Sequence, residues 1–223
     1  MGNRARITTR DKKMGIYLHW NGGRDSVEAF LEYCKLRGFR SPEGDDSYAF
    51  ARLTQIISNY FGGGLSIGIV GNCSNVIESD NGNYIIGGNW EIVGRDYPYK
   101  SFAEQTEYNL KKMLQEIDKA QPIEQQLGDF LNAKEKNATR LKKGDIVYIQ
   151  QYDGNYEKFP VIGFGKDKLV NGTNVLNKPY VAKYSDKDNF EDNINNYILT
   201  DKVRIYDEKS LSKNEISEEM EAD

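Results

Sequence analysis

The sequence changes its periodicity once, and that change limits the folds open to it. Between Asp25 and Leu131, apolar residues recur at helical spacing and alternate with short β-favouring runs. Beyond Lys143 the helical spacing stops and strand-like runs follow one another. This texture reads as an α+β domain with short antiparallel strands and about four helices, followed by a small all-β domain. The 223 residues suffice for both. The expected boundaries are an α+β domain over 1–135, a small β-barrel of SH3-like or OB-like kind over 136–207, and a disordered acidic tail over 208–223.

Local signals place the elements. Ala5 to Thr9 and Gly15 to Trp20 read as a hairpin, and Asn21-Gly22-Gly23 turns the chain into a helix. Asp25 with Glu28 has the spacing of a capping box, Val27, Phe30, Leu31 and Cys34 make one apolar face, and Gly38 is the stop. A second helix is expected from about Ser47 to Phe61, then a strand over Leu65 to Val70. Asp80-Asn81-Gly82 has type I′ turn chemistry, with strands at Tyr84 to Ile86 and Trp90 to Val93 beyond it. Ser101 with Glu104 predicts a capped third helix bearing Leu110, Met113, Leu114 and Ile117. Pro122 opens an expected fourth helix through Ile123, Leu127, Phe130 and Leu131. Asn132 to Lys143 reads as a polar linker. Strands are expected at Asp145 to Tyr152, Tyr156 to Phe164, Tyr180 to Tyr184 and Tyr197 to Tyr206, with Pro160 marking an edge or bulge.

Charge is unevenly placed. Residues 1–13 hold five cations against one anion, residues 207–223 hold seven anions against two cations, and the whole chain carries −4. A generic nucleic-acid-coating protein would be basic throughout. No run of eighteen apolar residues exists, and no apolar stretch follows the N-terminal cations, so a cytoplasmic location is expected. Two cysteines and one histidine make neither a disulfide framework nor a four-ligand zinc site, and no cofactor is expected. Gly163-Phe164-Gly165-Lys166 lacks the Ser or Thr and the helix of a phosphate-binding loop, and there is no Gly-x-Ser-x-Gly elbow. Without nucleophile, base and orienter together, an enzyme is the weaker reading.

Three clusters remain as binding candidates. The first is His19, Asn21 and Arg24, in the turn that joins a strand to a helix. A Gly-Gly step there admits close approach, although the turn needs glycine in any case. The second is Trp90 and Arg95, an aromatic and arginine pair of the kind that anchors interfaces; the alternative is a bulged strand with a core tryptophan. The third is the basic arm of Arg4, Arg6 and Arg10, which reads either as a phosphate contact or as a charged edge strand that resists aggregation.

The strings Met1-Gly2-Asn3-Arg4-Ala5, Tyr17-Leu18-His19-Trp20-Asn21-Gly22-Gly23-Arg24-Asp25-Ser26-Val27 and Gly87 to Arg95 resemble a family of proteins carried by phages, plasmids and integrated elements of low-GC Gram-positive bacteria. The resemblance covers roughly residues 1–130. It implies an accessory protein that counters host defence, of the type II anti-CRISPR kind that binds a Cas9–guide RNA complex, with no catalytic pattern to carry over. Two alternatives stand beside it. One is a nucleic-acid-binding module using the basic arm and a tyrosine-rich barrel with Tyr148, Tyr152, Tyr156 and Tyr180. The other is an enzyme on RNA or a nucleotide with His19 as acid or base.

Overall fold

A computed structural model describes residues 3–43, 46–63, 66–75, 80–97, 107–150, 154–168, 175–181 and 202–205 of the chain. The expected tail, Ser101, Glu104, Tyr152, Tyr184 and Tyr197 lie outside the described residues. The helix bearing Leu110 to Ile117, however, starts at Leu110 and is capped by Asn109, whose side chain accepts from the Lys112 N–H at 3.0 Å, so Ser101 is not its cap. The protein is mixed α+β. Its described residues form three α-helices, three short 3-10 segments and two five-stranded sheets, in two compact units, Met1–Gln126 and Leu127–Asp223. No helix among them is long and apolar enough to cross a membrane.

The first unit contains, in chain order, β1 (Ala5–Thr9), β2 (Met14–Leu18), α1 (Arg24–Leu36), α2 (Asp46–Phe61), β3 (Ile67–Gly71), β4 (Asn83–Ile86), β5 (Ile92–Asp96) and α3 (Leu110–Lys119). The sheet order is β3-β2-β1-β4-β5. The expected hairpin forms, with Ala5 opposite Leu18 and Ile7 opposite Ile16. Its first strand is not an edge, however. β4 lies parallel to β1 on the other side, with Ile7 beside Tyr84. Ala5 and Ile7 on one face and Thr8 on the other are fully buried, which suits an interior strand. The edges of this sheet are β3 and β5.

Ala5, Ile7, Ile16, Leu18, Tyr84 and Ile86 share one sheet face by register, and all are buried. The apolar stripes of α1 (Val27, Phe30, Leu31, Cys34) and α2 (Phe50, Leu53, Ile57) complete this core. Phe30 meets Tyr60 edge-on at 5.4 Å. α1 ends as the sequence predicts: Gly38 takes φ 65, and the Phe39 N–H reaches the Cys34 carbonyl at 3.1 Å. It does not begin as predicted. Gly23 is the cap residue and no side chain caps the first turn. Glu28 instead accepts from Arg24 Nε at 2.6 Å and from the Tyr108 hydroxyl, so its carboxylate is engaged by side chains and not by a cap N–H.

Two local expectations, a hairpin turn and a fourth helix, fail. Asp80-Asn81-Gly82 closes no hairpin, because β2 and β1 separate β3 from β4. Only Gly82 takes a positive φ (63), and the segment docks on β1 through Asn81 N–H to Arg4 O and Arg6 N–H to Gly82 O. The expected fourth helix is two 3-10 segments, Ile123–Gln125 and Gly128–Asn132. Gln126 is extended after the first, and Gly128, which opens the second, takes φ 53, so the helical ladder cannot continue.

The second unit contains β6 (Lys134–Asn137), β7 (Ile146–Gln150), β8 (Tyr156–Lys168), β9 (Val175–Val181) and β10 (Lys202–Ile205), in the order β6-β10-β7-β8-β9. The stretch expected as a linker therefore holds a strand, which the sequence hides because β6 finds its partner only in β10, far along the chain. Ala138, Leu141, Val147 and Val161 are its core, with Ile149, Phe159 and Ile205 packed around them. Phe130 stacks on Tyr156 at 3.7 Å and meets Tyr148 edge-on, so the 3-10 segment that carries it belongs to this unit. The expected first-domain boundary at residue 135 lies beyond that segment.

Candidate functional site

β2 ends at Leu18, and the next two residues leave the sheet together. Alternation along a strand would send only one of His19 and Trp20 outward. Both are exposed, Trp20 at 45%. Tyr17 and His19 join through the phenol oxygen and Nδ1 at 3.1 Å; when Nδ1 is the unprotonated nitrogen, the phenol donates. The imidazole meets the Trp20 indole edge-on, with centroids 5.1 Å apart. Three aromatic rings thus lie in sequence on the surface.

Their base is rigid. The His19 N–H donates to Ser66 O at 2.8 Å, tying the cluster to the segment leading into β3. Asn21 takes φ 52, a conformation that asparagine tolerates better than most residues, and reverses the chain. Gly22 N–H then bonds Asn3 O at 2.7 Å, and the buried Tyr84 hydroxyl donates to Gly22 O at 3.0 Å. A Cβ on Gly22 would stand 2.6 Å from Asn3 O and 2.7 Å from the Ala5 Cβ, so the glycine here serves backbone packing. Arg24 is held by Glu28 at the foot of α1.

The remaining candidates do structural work. Trp90 is buried, and its indole N–H donates to Phe39 O at 3.2 Å. It is a core residue in a tight loop between β4 and β5, with φ 59, and is not part of an exposed platform. Nor does it neighbour Trp20 in the sheet. Arg95 lies over the Tyr84 ring at 3.4 Å and the Tyr97 ring at 4.3 Å, and donates to Asn81 O.

The basic arm is largely neutralised within the fold. Arg4 pairs with Asp80 through both its backbone N–H (3.0 Å) and its Nε (3.5 Å). The Arg4 N–H and guanidinium hold the Asp80 carboxyl below the usual range. Arg6 donates to Asn75 O at 3.2 Å, and Arg10 lies 3.7 Å from Glu43. Lys12 pairs with Asp96 at 2.7 Å and Lys13 with Asp11 at 3.0 Å. These cations brace loops. They do not form an open phosphate track.

The tyrosines of the second unit tell a similar story. Tyr148 is buried, and Tyr156 already has a stacking partner in Phe130, whose ring also has Arg204 5.2 Å above it. Among the described residues no group of three or more His, Cys, Asp or Glu could hold a metal ion. Burial pushes the Cys34 thiol well above its ordinary pKa, so it is no nucleophile.

Of the predicted residues, His19 and Asn21 come together at one exposed feature, with Arg24 just beyond. Trp20 was not among the candidates, yet it is the exposed member of the tryptophan pair. The signal that could have found it is the Asn21 turn, which ends the strand before alternation applies. Comparison with protein-family models, curated proteins and solved structures gave no match.

Proposed function

We propose that this protein acts by binding another macromolecule through the exposed His19 and Trp20, backed by the half-buried Tyr17. The observation that carries this reading is the pair of large rings held outward on a hydrogen-bonded base, since a pre-ordered aromatic anchor gives up little entropy on binding. Tryptophan and tyrosine at such positions are typical interface anchors.

The resemblance of residues 1–130 supplies the partner class: a host defence nucleoprotein, with Cas9 bound to guide RNA as the specific case, and inhibition as the outcome. The neutralised arm disfavours the alternative of direct nucleic-acid binding. For the second unit, we take the five strands to belong to a small SH3-like or OB-like barrel. β8 supports this, because its first half pairs with β7 and its second half with β9 across a register shift, as a strand bent at a barrel corner does.

The test is co-elution of the purified protein with a Cas9–guide RNA complex, together with an assay of DNA cleavage. A stable complex and slowed cleavage are expected, and Trp20→Ala is expected to weaken binding by about 30-fold, the scale of a hot-spot truncation. Absence of any complex would refute the partner assignment. A complex unaffected by Trp20→Ala would refute the site.

A further inference from the structure

We infer that the free edge of β3 pairs with the same edge of a second copy, making a two-fold symmetric dimer with one continuous ten-stranded sheet. Among the described residues β3 has one neighbour, β2, with Ile16 opposite Ile69 and Tyr17 opposite Gly68. Backbone bonds from His19 N to Ser66 O and from Asn72 N to Lys13 O set the phase of that ladder. Antiparallel pairing alternates. Ser66, Gly68, Val70 and Asn72 therefore turn their peptide groups toward β2. Ile67, Ile69 and Gly71 turn theirs off the edge.

Among the described residues that edge has none of the usual protection. From Leu53 to Ile77 there is no Asp, Glu, Lys, Arg or His, in a chain that is 29% charged. Pro and β-bulge are absent from β3 as well. Ile69 is 58% exposed, and a Cβ added at Gly68 or Gly71 would meet nothing within 4 Å. Exposed, uncharged and apolar edge strands template pairing with another strand.

The strand is complementary to itself. An antiparallel two-fold through Ile69 sets Ile69 against Ile69, and Ile67 against Gly71 in both directions, so every outward peptide finds a partner. On the opposite face Gly68 meets Val70. Each off-axis pair matches a large residue with a glycine, and no charge opposes a like charge. A charged partner has nothing to recognise here, whereas a second copy matches group for group. A single strand edge is a small interface, so a weak, concentration-dependent association is expected.

The experiment is light scattering on the full chain across a concentration series, beside Ile69→Lys and Ile69→Cys. The wild type is expected to move from 25.5 kDa toward about twice that mass. Ile69→Lys is expected to stay monomeric with an unchanged thermal melt. Under mild oxidation Ile69→Cys is expected to give a disulfide-linked dimer, because residues paired on the axis bring their Cα atoms to about 5.5 Å, within disulfide range. The native Cys34 and Cys73 are buried and do not compete. A wild type that stays monomeric throughout overturns the proposal, as does a dimer indifferent to Ile69→Lys, or one in which Ile69→Cys fails to cross-link. The readout needs no binding partner, so it stands or falls separately from the proposed function.

Discussion

Trp20 and Trp90 show how differently one residue type serves in this protein. Trp90 is enclosed and its indole nitrogen is satisfied, so Trp90→Ala is expected to cost about 3–5 kcal/mol in urea unfolding. Trp20 lies in solvent beside His19, and Trp20→Ala should change stability by less than about 0.5 kcal/mol. A large loss of stability on truncating Trp20 would mean that it packs within the fold. The two tryptophans sit in similar sequence surroundings, each near a Gly-Gly pair and an arginine. Both lie just past a strand end, and what separates them is the loop that follows: beyond β2 the chain leaves Trp20 exposed, whereas the short loop joining β4 and β5 turns Trp90 inward.

At the scale of elements, the loops and strand ends of the first unit are fastened by acid–base pairs with measurable titration behaviour. Hydrogen bonds from Thr9 and Lys13 pull the Asp11 carboxyl from 3.8 to about 2. Asp80 is lowered by the Arg4 backbone and side chain. In the second unit, burial would raise Asp145, but Lys136 and the Lys142 backbone N–H outweigh it and the net shift is downward. Each carboxyl binds its proton more readily unfolded than folded. Its contribution is therefore complete above the unfolded value and is lost as pH falls through the folded one. Unfolding free energy should decline between about pH 4 and pH 2, and Asp80→Asn should flatten that decline. An acid limb of the same slope in this variant would show that the Arg4 pair is not coupled to folding. Because Asp11 and Asp80 are largely in solvent, salt should weaken the effect.

Helix identity was legible wherever a single element carried its own signal. The 3.6-residue stripe of α1, its Gly38 stop and the span of α2 all appear as read. Where an element depends on a distant partner, the sequence misleads. The type I′ chemistry of Asp80-Asn81-Gly82 and the apolar spacing after Pro122 are real local preferences, but docking on β1 and the break at Gln126 and Gly128 override them. β6 is the opposite case, a polar run with little strand signal that becomes a strand because β10 pairs with it.

For the whole molecule, the division after Gln126 has a consequence that can be tested. Residues 1–126 carry a sheet and three helices around one core, so a 1–126 fragment is expected to melt cooperatively and to retain the binding proposed for Trp20. A non-cooperative melt would show that the first unit needs the second to fold. By itself the sequence determined the α+β character, the two-part organisation, the principal helical faces and the turn at Asn21, because each follows from nearest-neighbour spacing and backbone preference. Only the tertiary structure decided that β1 is a central strand, that Arg4, Lys12 and Lys13 beside it are paired with carboxylates, that Trp90 is interior while Trp20 is not, and that β3 is left at an edge. Those outcomes depend on which strands lie side by side. Pairing across long sequence separations leaves no periodic trace in the residues that make it.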